Sequence, residues 1–361
     1  MAELPFKTWP YEDQTKMKHM VFEDYIDKWM KIVGQKNKLN YVDGFGGIGA
    51  YQDVNDNLFF GSPVLAAEVA QRATNRLQRK VNIIIIDSDA GNLENIKKIF
   101  DHRRISIEPI LINDDFDGAI NKILDNINNL APTFVFVDPF GFTLKMKTIE
   151  RIMRIDKSEI LLNFMFTRVN QFLGAPKVEK IFNELFGSTD WQQLKELKGL
   201  QRERAIIELY RQQLKKFSKF VYYYRFEFPS AKRTYYYLFH LTNYFKGCVI
   251  MKSSFAKFNL GQVEYRGNRF DSNQLTLFNE SENRTERAAS YMRSEYAGQQ
   301  KSFQRIVEEL IDETEFLESD LRAAVKELEK TDLVKISRIP EKTPKGRART
   351  GIDYNDIIKF Q

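Results

Sequence analysis

Residues 40–51, NYVDGFGGIGAY, run a short apolar strand into four glycines, and their reading decides the fold. Gly44, Gly46 and Gly49 match G-x-G-x-x-G, a spacing that lets the backbone turn tightly and approach a ligand without Cβ clashes. A dinucleotide-binding loop also needs a helix opening at its last glycine and an acid about 20 residues on. Neither is present. The polar, unhelical YQDVNDNLFFGS follows, the next helix begins near Ser62, and the strand-end acid Asp87 lies roughly twice too far away. An acid at the first strand's own end, Asp43, suits S-adenosylmethionine better. That ligand has no pyrophosphate for a helix N-terminus to hold. It carries an ammonium, a sulfonium and a ribose diol, and carboxylates suit all three.

Outward from this loop the pattern alternates. An amphipathic helix precedes it, with Met20, Tyr25, Trp29 and Ile32 on one face and Gly34 as a stop. GSPVLAAEVAQRATNRLQ follows as a helix with Ser62 as N-cap and Pro63 at its first position. NIIIID, PTFVFVD and EILLNF are continuous apolar runs that suit strands buried on both faces, and helical segments separate them. Strand and helix alternate five times between Asn40 and Phe166, which predicts an α/β fold with a doubly wound, mostly parallel sheet. Ligands of such sheets bind outside the C-terminal strand ends. Asp87 (or Asp89) ends the second strand, where a carboxylate accepts from both ribose hydroxyls. Asn113 and Asp114 end the third, where a carboxylate accepts from the adenine amino group. Any one of these acids reads equally well as a helix N-cap; three at consecutive strand ends read as a cofactor site.

Asp138-Pro139-Phe140-Gly141 ends the fourth strand. It resembles the Asp/Asn-Pro-Pro-aromatic turn of methyltransferases acting on nucleobase amines, and more closely the D-P-F/Y-G variant of tRNA guanine-N2 methyltransferases. An exocyclic aromatic amine is a weak nucleophile because its lone pair is delocalised into the ring. A carboxylate and a backbone carbonyl that accept its two N–H bonds localise that lone pair. Proline keeps the turn rigid, and Phe140 offers a face for the base. The competing reading is an ordinary Asp-Pro turn.

Taken together, YVDGFGGIGAY, GSPVLAAEVA, FVFVDPFGF, LNFMFTRVNQFL and the C-terminal segment described below resemble the three-Cys-motif partner (TcmP) family, as does the opening helix. The resemblance implies a class I methyltransferase-like domain and a C-terminal winged helix. It also implies a separate partner protein that carries the cysteines. Asp43, Gly44, Gly46, Gly49 and the Asp138–Gly141 turn carry over at matching positions. Phe45-Gly46-Gly47-Ile48-Gly49 stands where family members commonly have F-A-G-x-G, a conservative departure.

Beyond residue 166 comes a charged helical stretch, then two aromatic strands around a polar turn at 229–232, and another helix. Residues 271–300 read as a linker, placing a methyltransferase-like domain at 1–270 and a winged-helix domain at 301–361. Lys342, Lys345, Arg347 and Arg349 crowd the expected wing, where a flexible basic loop reaches nucleic-acid phosphates. The competing reading is a solvated loop on a protein-binding module. Within the linker, Gln274-Leu275-Thr276-Leu277-Phe278 resembles the bacterial sliding-clamp-binding pentapeptide, and reads equally as a segment tucked onto its own domain.

Composition sets the limits. In 361 residues, 55 Lys and Arg against 49 Asp and Glu leave +6, which permits nucleic acid as a partner without requiring it. One cysteine, Cys248, and three histidines exclude a disulfide framework and disfavour a resident metal. No apolar run approaches the ~20 residues of a membrane span, and the N-terminus lacks a signal-peptide core, so a cytoplasmic protein without membrane contact is expected. The 29 Phe read mostly as core. The expectation is S-adenosylmethionine-dependent methylation of a nucleobase exocyclic amine in DNA or RNA. The rivals are a non-catalytic nucleic-acid-binding or adaptor subunit working with a cysteine-bearing partner, conceivably in phage defence, and methylation of a protein or small molecule.

Overall fold

A computed structural model describes residues 4–78, 80–126, 130–227, 234–258, 263–264 and 280–361. The chain divides into two compact units, Met1–Glu264 and Tyr265–Gln361. The first begins with β1 (Trp9–Pro10), α1 (Asp13–Val33), β2 (Leu39–Asp43), the hairpin β3 (Ala50–Gln52) and β4 (Leu58–Phe60), and α2 (Ser62–Leu77). It continues through β5 (Val81–Asp87), α3 (Ala90–Arg103), β6 (Ile110–Asn113), α4 (Phe116–Asn126), β7 (Thr133–Val137), α5 (Met146–Met153) and β8 (Glu159–Phe164). Then come α6 (Phe166–Phe172), α7 (Glu179–Phe186), a 3-10 turn at Asp190–Glu196, and α8 (Gly199–Lys215). β9 (Phe220–Glu227), β10 (Thr234–Thr242), α9 (Phe245–Lys257) and β11 (Val263–Glu264) complete it.

The eight-stranded sheet runs β11-β9-β10-β8-β7-β2-β5-β6. From β6 to β8 all pairings are parallel, whereas β10 lies antiparallel to both β8 and β9. Five parallel strands wound outward from β2, with a reversed strand inserted beyond the fifth, make the class I methyltransferase-like fold. Strand order reverses between β2 and β7, which opens the crevice where such sheets bind ligands. One sheet face, with Val42, Ile84, Val135 and Ile160, packs under α4, α5 and α8. The other carries Tyr41, Phe134 and Phe136 under α1, where the Phe22 ring centroid lies 4.9 Å from that of Phe136. Each such phenylalanine contributes about 1.5–3 kcal/mol by burial, so most of the phenylalanine surplus is core.

Two details differ from the sequence expectation, and a third refines it. Ile32 is 51% exposed, off the inner stripe of α1. Gly61 rather than Ser62 is the N-cap of α2, and Ser62 is its first helical residue. The stretch after Ala50 is a β-hairpin, with β1 added parallel to β3. Short strands with interrupted alternation give little periodic signal.

In the second unit, α10 (Glu280–Tyr296), β12 (Gln300–Ser302), α11 (Phe303–Leu310), α12 (Glu318–Lys330), β13 (Val334–Ser337) and β14 (Ile357–Phe360) form three helices and a sheet of order β12-β14-β13. All of α10 lies in the expected linker. Its polar surface misleads, because Arg284 and Arg287 are turned to Asp320 and Glu315, both at 3.4 Å, while Tyr291 packs on Phe316. The clamp-like pentapeptide 274–278 lies outside the described residues. Among the described residues no helix is long and apolar enough to cross a membrane.

Candidate active site

Every strand-end residue expected at the crevice sits at the C-terminal edge of the sheet, but they fall into two groups. The inner group is buried. Asp43 is fully enclosed, accepting from Tyr41 Oη at 2.7 Å, from the Phe45 N–H at 3.3 Å and from the Ser62 hydroxyl. Burial pushes its pKa up to about 6 against these donors, and the nearby Asp138 carboxylate adds to the rise. The glycines pack close: the Gly44 N–H donates to Phe136 O across the switch point, and a Cβ there would lie 2.7 Å from the Phe116 ring. The Gly46 N–H donates to Ile86 O, and Gly49 turns the chain at φ +79°.

Asp87 ties the loop to β5. Its Oδ2 accepts the Gly47 N–H at 2.7 Å, and its Oδ1 accepts the Asp89 N–H at 2.8 Å and Asn92 Nδ2 at 3.3 Å. A carboxylate has about four acceptor directions, so half-buried Asp87 keeps about one for a ribose hydroxyl, and a second would have to displace the long Asn92 bond. Asp89 is spent as the N-cap of α3, accepting from Gly91, which leaves Asp87 as the ligand candidate of the two. Asn113 donates to Asp87 O, while Asp114 pairs with Lys122 at 2.6 Å. That ion pair is solvent-exposed, holding the carboxyl below its ordinary range but weak enough to exchange. Asp114 therefore stands at the rim of the site.

At the Asp138 turn, α1 delivers Lys18, which ion-pairs with Asp138 Oδ2 while only 8% exposed. From β8, Asn163 Nδ2 donates to Asp138 Oδ1 at 2.6 Å. Asn163 Oδ1 is buried without a hydrogen-bond partner among the described residues. The Lys18 ammonium also lies 5.7 Å from the Tyr236 ring. Neighbouring His19 is buried, and burial together with Lys18 pushes its pKa down to about 3, so it is neutral. Pro139 is buried, whereas Phe140 is 75% exposed with its ring 6.1 Å from Trp9.

Sequence reasoning missed Lys18 and Asn163, although both left a trace. Lys18 lies in line with Val21, Phe22 and Tyr25 on the apolar stripe of α1, and Asn163 interrupts an apolar strand. A polar residue on a buried face needs a partner. By contrast, His240 of β10 turns away to the other end of β8, its Nε2 2.8 Å from Glu159, which also takes the Tyr25 hydroxyl.

In the second unit, Lys342, Lys345 and Arg347 are exposed on the loop between β13 and β14. Arg349 is not. Its side chain is 9% exposed, with the guanidinium 2.7 Å from Asp353 and 2.9 Å from the fully buried Asp356. Burial raises the Asp356 pKa, but the Ile339 and Asp353 N–H bonds and Arg349 outweigh it and hold it low. Arg349 thus fastens the loop base. Arg349→Ala is expected to lower this unit's stability by about 2 kcal/mol. Lys345→Ala should leave it within about 0.5 kcal/mol, as urea unfolding would measure.

No protein-family model matches the sequence, and no curated protein is similar to it. Similarity to solved structures is partial. The Legionella pneumophila protein LPL1258 is 11% identical, with 69% of this chain and 96% of that one covered at a TM-score of 0.41. A SAM-dependent methyltransferase from Agrobacterium tumefaciens is 11% identical at a TM-score of 0.37, covering 63% of this chain and 62% of that one. A spermidine synthase from Thermotoga maritima is 11% identical, also at a TM-score of 0.37, covering 71% and 70%.

Proposed function

We propose that this chain is an S-adenosylmethionine-dependent methyltransferase acting on an exocyclic amine of a nucleobase in DNA or RNA. The observation that carries the reading is the Asp138 turn. A carboxylate held from two sides by Lys18 and Asn163 stands at the switch point beside buried Asp43, with an exposed phenylalanine two residues on. When bound, the cofactor supplies an electrophilic methyl group on a sulfonium. Asp43 and the Gly44–Gly49 loop would hold its methionine part, Asp87 the ribose and Asp114 the adenine amine. Asp138 accepts one N–H of the target amine, the Pro139 carbonyl the other, and Phe140 stacks on the ring. The sole thiol, Cys248, lies in α9 next to Gly247, which packs against Glu159 at the far end of β8. A thiolate-assisted attack at a ring carbon therefore has no nucleophile at this turn.

The second unit's element order and sheet order support a winged helix. Lys342, Lys345 and Arg347 would then reach phosphates from its wing, giving nucleic-acid affinity that falls with salt. A second reading keeps the fold without turnover: a nucleic-acid-binding or adaptor subunit for a cysteine-bearing partner, as the three-Cys-motif partner resemblance implies. The orphan Asn163 Oδ1 favours a site built for a ligand over an idle fold. Isothermal titration of S-adenosylmethionine should give heat with the native protein and at least tenfold weaker binding with Asp87→Ala, about the value of one charge-assisted hydrogen bond. Absence of heat with the native protein would sink the cofactor assignment.

A further inference from the structure

Trp9 is among the few large apolar side chains that remain exposed, at 36%, and so is Phe140. They lie 131 residues apart in sequence, yet their rings meet at 6.1 Å with an interplanar angle of 64°. Trp9 is placed there by construction. The Lys7 N–H donates to Asn95 Oδ1 at 2.7 Å, and Asn95 Nδ2 returns bonds to Lys7 O at 3.0 Å and Ile48 O at 2.8 Å. Downstream, the Thr8 hydroxyl donates to Gln52 Oε1 and the Tyr11 N–H to Gln52 O, both at 2.7 Å. The segment is thereby strapped across the glycine loop, with the indole 3.6 Å from where a Gly47 side chain would begin. Its outer side opens on a cleft of about 750 Å³ that Trp9, Tyr11, Lys16 and Gln52 help to line, with Glu12 and Asp53 also at its walls.

Leaving two aromatic faces in water at a rigid position loses burial that the core gains elsewhere. Phe140, which Trp9 meets, stands two residues after Asp138, a carboxylate that accepts an N–H bond from Asn163, and a planar heteroaromatic amine is the ligand that suits both an aromatic pair and such an acceptor. We infer that Trp9 and Phe140 form a corner that receives an unstacked nucleobase, Trp9 being the second stacking wall and a specificity determinant that the Asp138 turn alone does not supply. The inference rests on the nucleobase reading of the site. The base stacks on one ring and meets the edge of the other, the cleft beside Trp9 takes the neighbouring nucleotide, and a strand must present the base unpaired.

Tryptophan fluorescence tests this, because Trp29 and Trp191 are buried and Trp9 reports alone on added bases. A single-stranded oligonucleotide should quench the native protein, and an abasic strand of equal length should not. Trp9→Phe should abolish the quench. By anisotropy, Trp9→Ala should weaken binding about tenfold, the scale of one lost base–aromatic stack, with its thermal midpoint within a few degrees of native. Binding of the oligonucleotide that is unchanged in Trp9→Ala, or equal quenching by the abasic strand, overturns the corner and leaves the nucleic-acid reading standing. No binding of any oligonucleotide alongside normal cofactor heat overturns the nucleic-acid reading, and the corner with it.

Discussion

Asp138→Ala is expected to reduce methyl transfer by a factor of about 100 to 1,000, the range seen when one preorganised group contacting the reacting centre is removed. Mass spectrometry of nucleosides from cells carrying the native or variant chain reads this directly, since one modified nucleoside should disappear. The environment of Asp138 makes a sharper test available. Its carboxylate is 23% exposed and paired with Lys18, which is nearly enclosed. Lys18→Met would leave two carboxylates, Asp43 and Asp138, facing each other without a cation. A fully buried broken pair costs about 3–5 kcal/mol; with Asp138 partly solvated, about 2 kcal/mol is expected. Adding Asp138→Asn removes the stranded charge and should restore most of that stability. The amide oxygen of this double variant still accepts an N–H bond, so it should keep at least about a tenth of native activity if Asp138 works as an acceptor. If Asp138 instead removes the proton, the double variant will be as inactive as Asp138→Ala.

The sequence carried the sheet and the C-terminal edge where these acids gather because both are written in local pattern. Unbroken runs such as NIIIID and TFVFV fix buried strands, and five alternations fix the winding. Asp43, Asp87 and Asp138 were legible since strand-end position follows from the strands themselves. What escaped depends on pairings distant in sequence. Lys18 and Asp138 are 120 residues apart, Asn163 and Asp138 are 25 apart, and Asn95 grips the chain 88 residues before it. No period reports such contacts. The β1–β3 pairing that places Trp9 rests on two residues of register, too short to show alternation. Arg349 and Lys345 look alike in a basic run. Only the fold reveals that one is spent on Asp356 and the other is left to solvent.

Asp43→Asn is expected to stabilise the protein while weakening cofactor binding, a trade confined to neutral pH. The carboxyl titrates at about 6 in the fold, against 3.8 for an ordinary aspartate in water. Between those values the native state binds more protons than the unfolded one, so this group's contribution to stability falls as pH rises. The full gap amounts to about 3 kcal/mol of destabilisation above pH 6. Asparagine removes the charge, but its NH₂ must face one of the donors Tyr41, Ser62 or Phe45, so a net gain of about 2 kcal/mol at pH 7.5 is expected. At pH 5, where Asp43 is itself mostly protonated, the gain should shrink to a few tenths of a kcal/mol. Urea unfolding at the two pH values measures both. Cofactor affinity should move the other way, because a ligand bearing ammonium and sulfonium charges favours ionised Asp43. Binding to the native protein should weaken by up to about tenfold per pH unit below 6, and binding to Asp43→Asn should be nearly flat over the same range. Lys18 and Asp138 nearby cancel in charge and His19 is neutral there, so the dependence isolates Asp43. An Asp43→Asn variant no more stable than native at pH 7.5 would mean that its three donors, and not burial, govern this carboxylate, and that the charge is held ready at no cost to the fold.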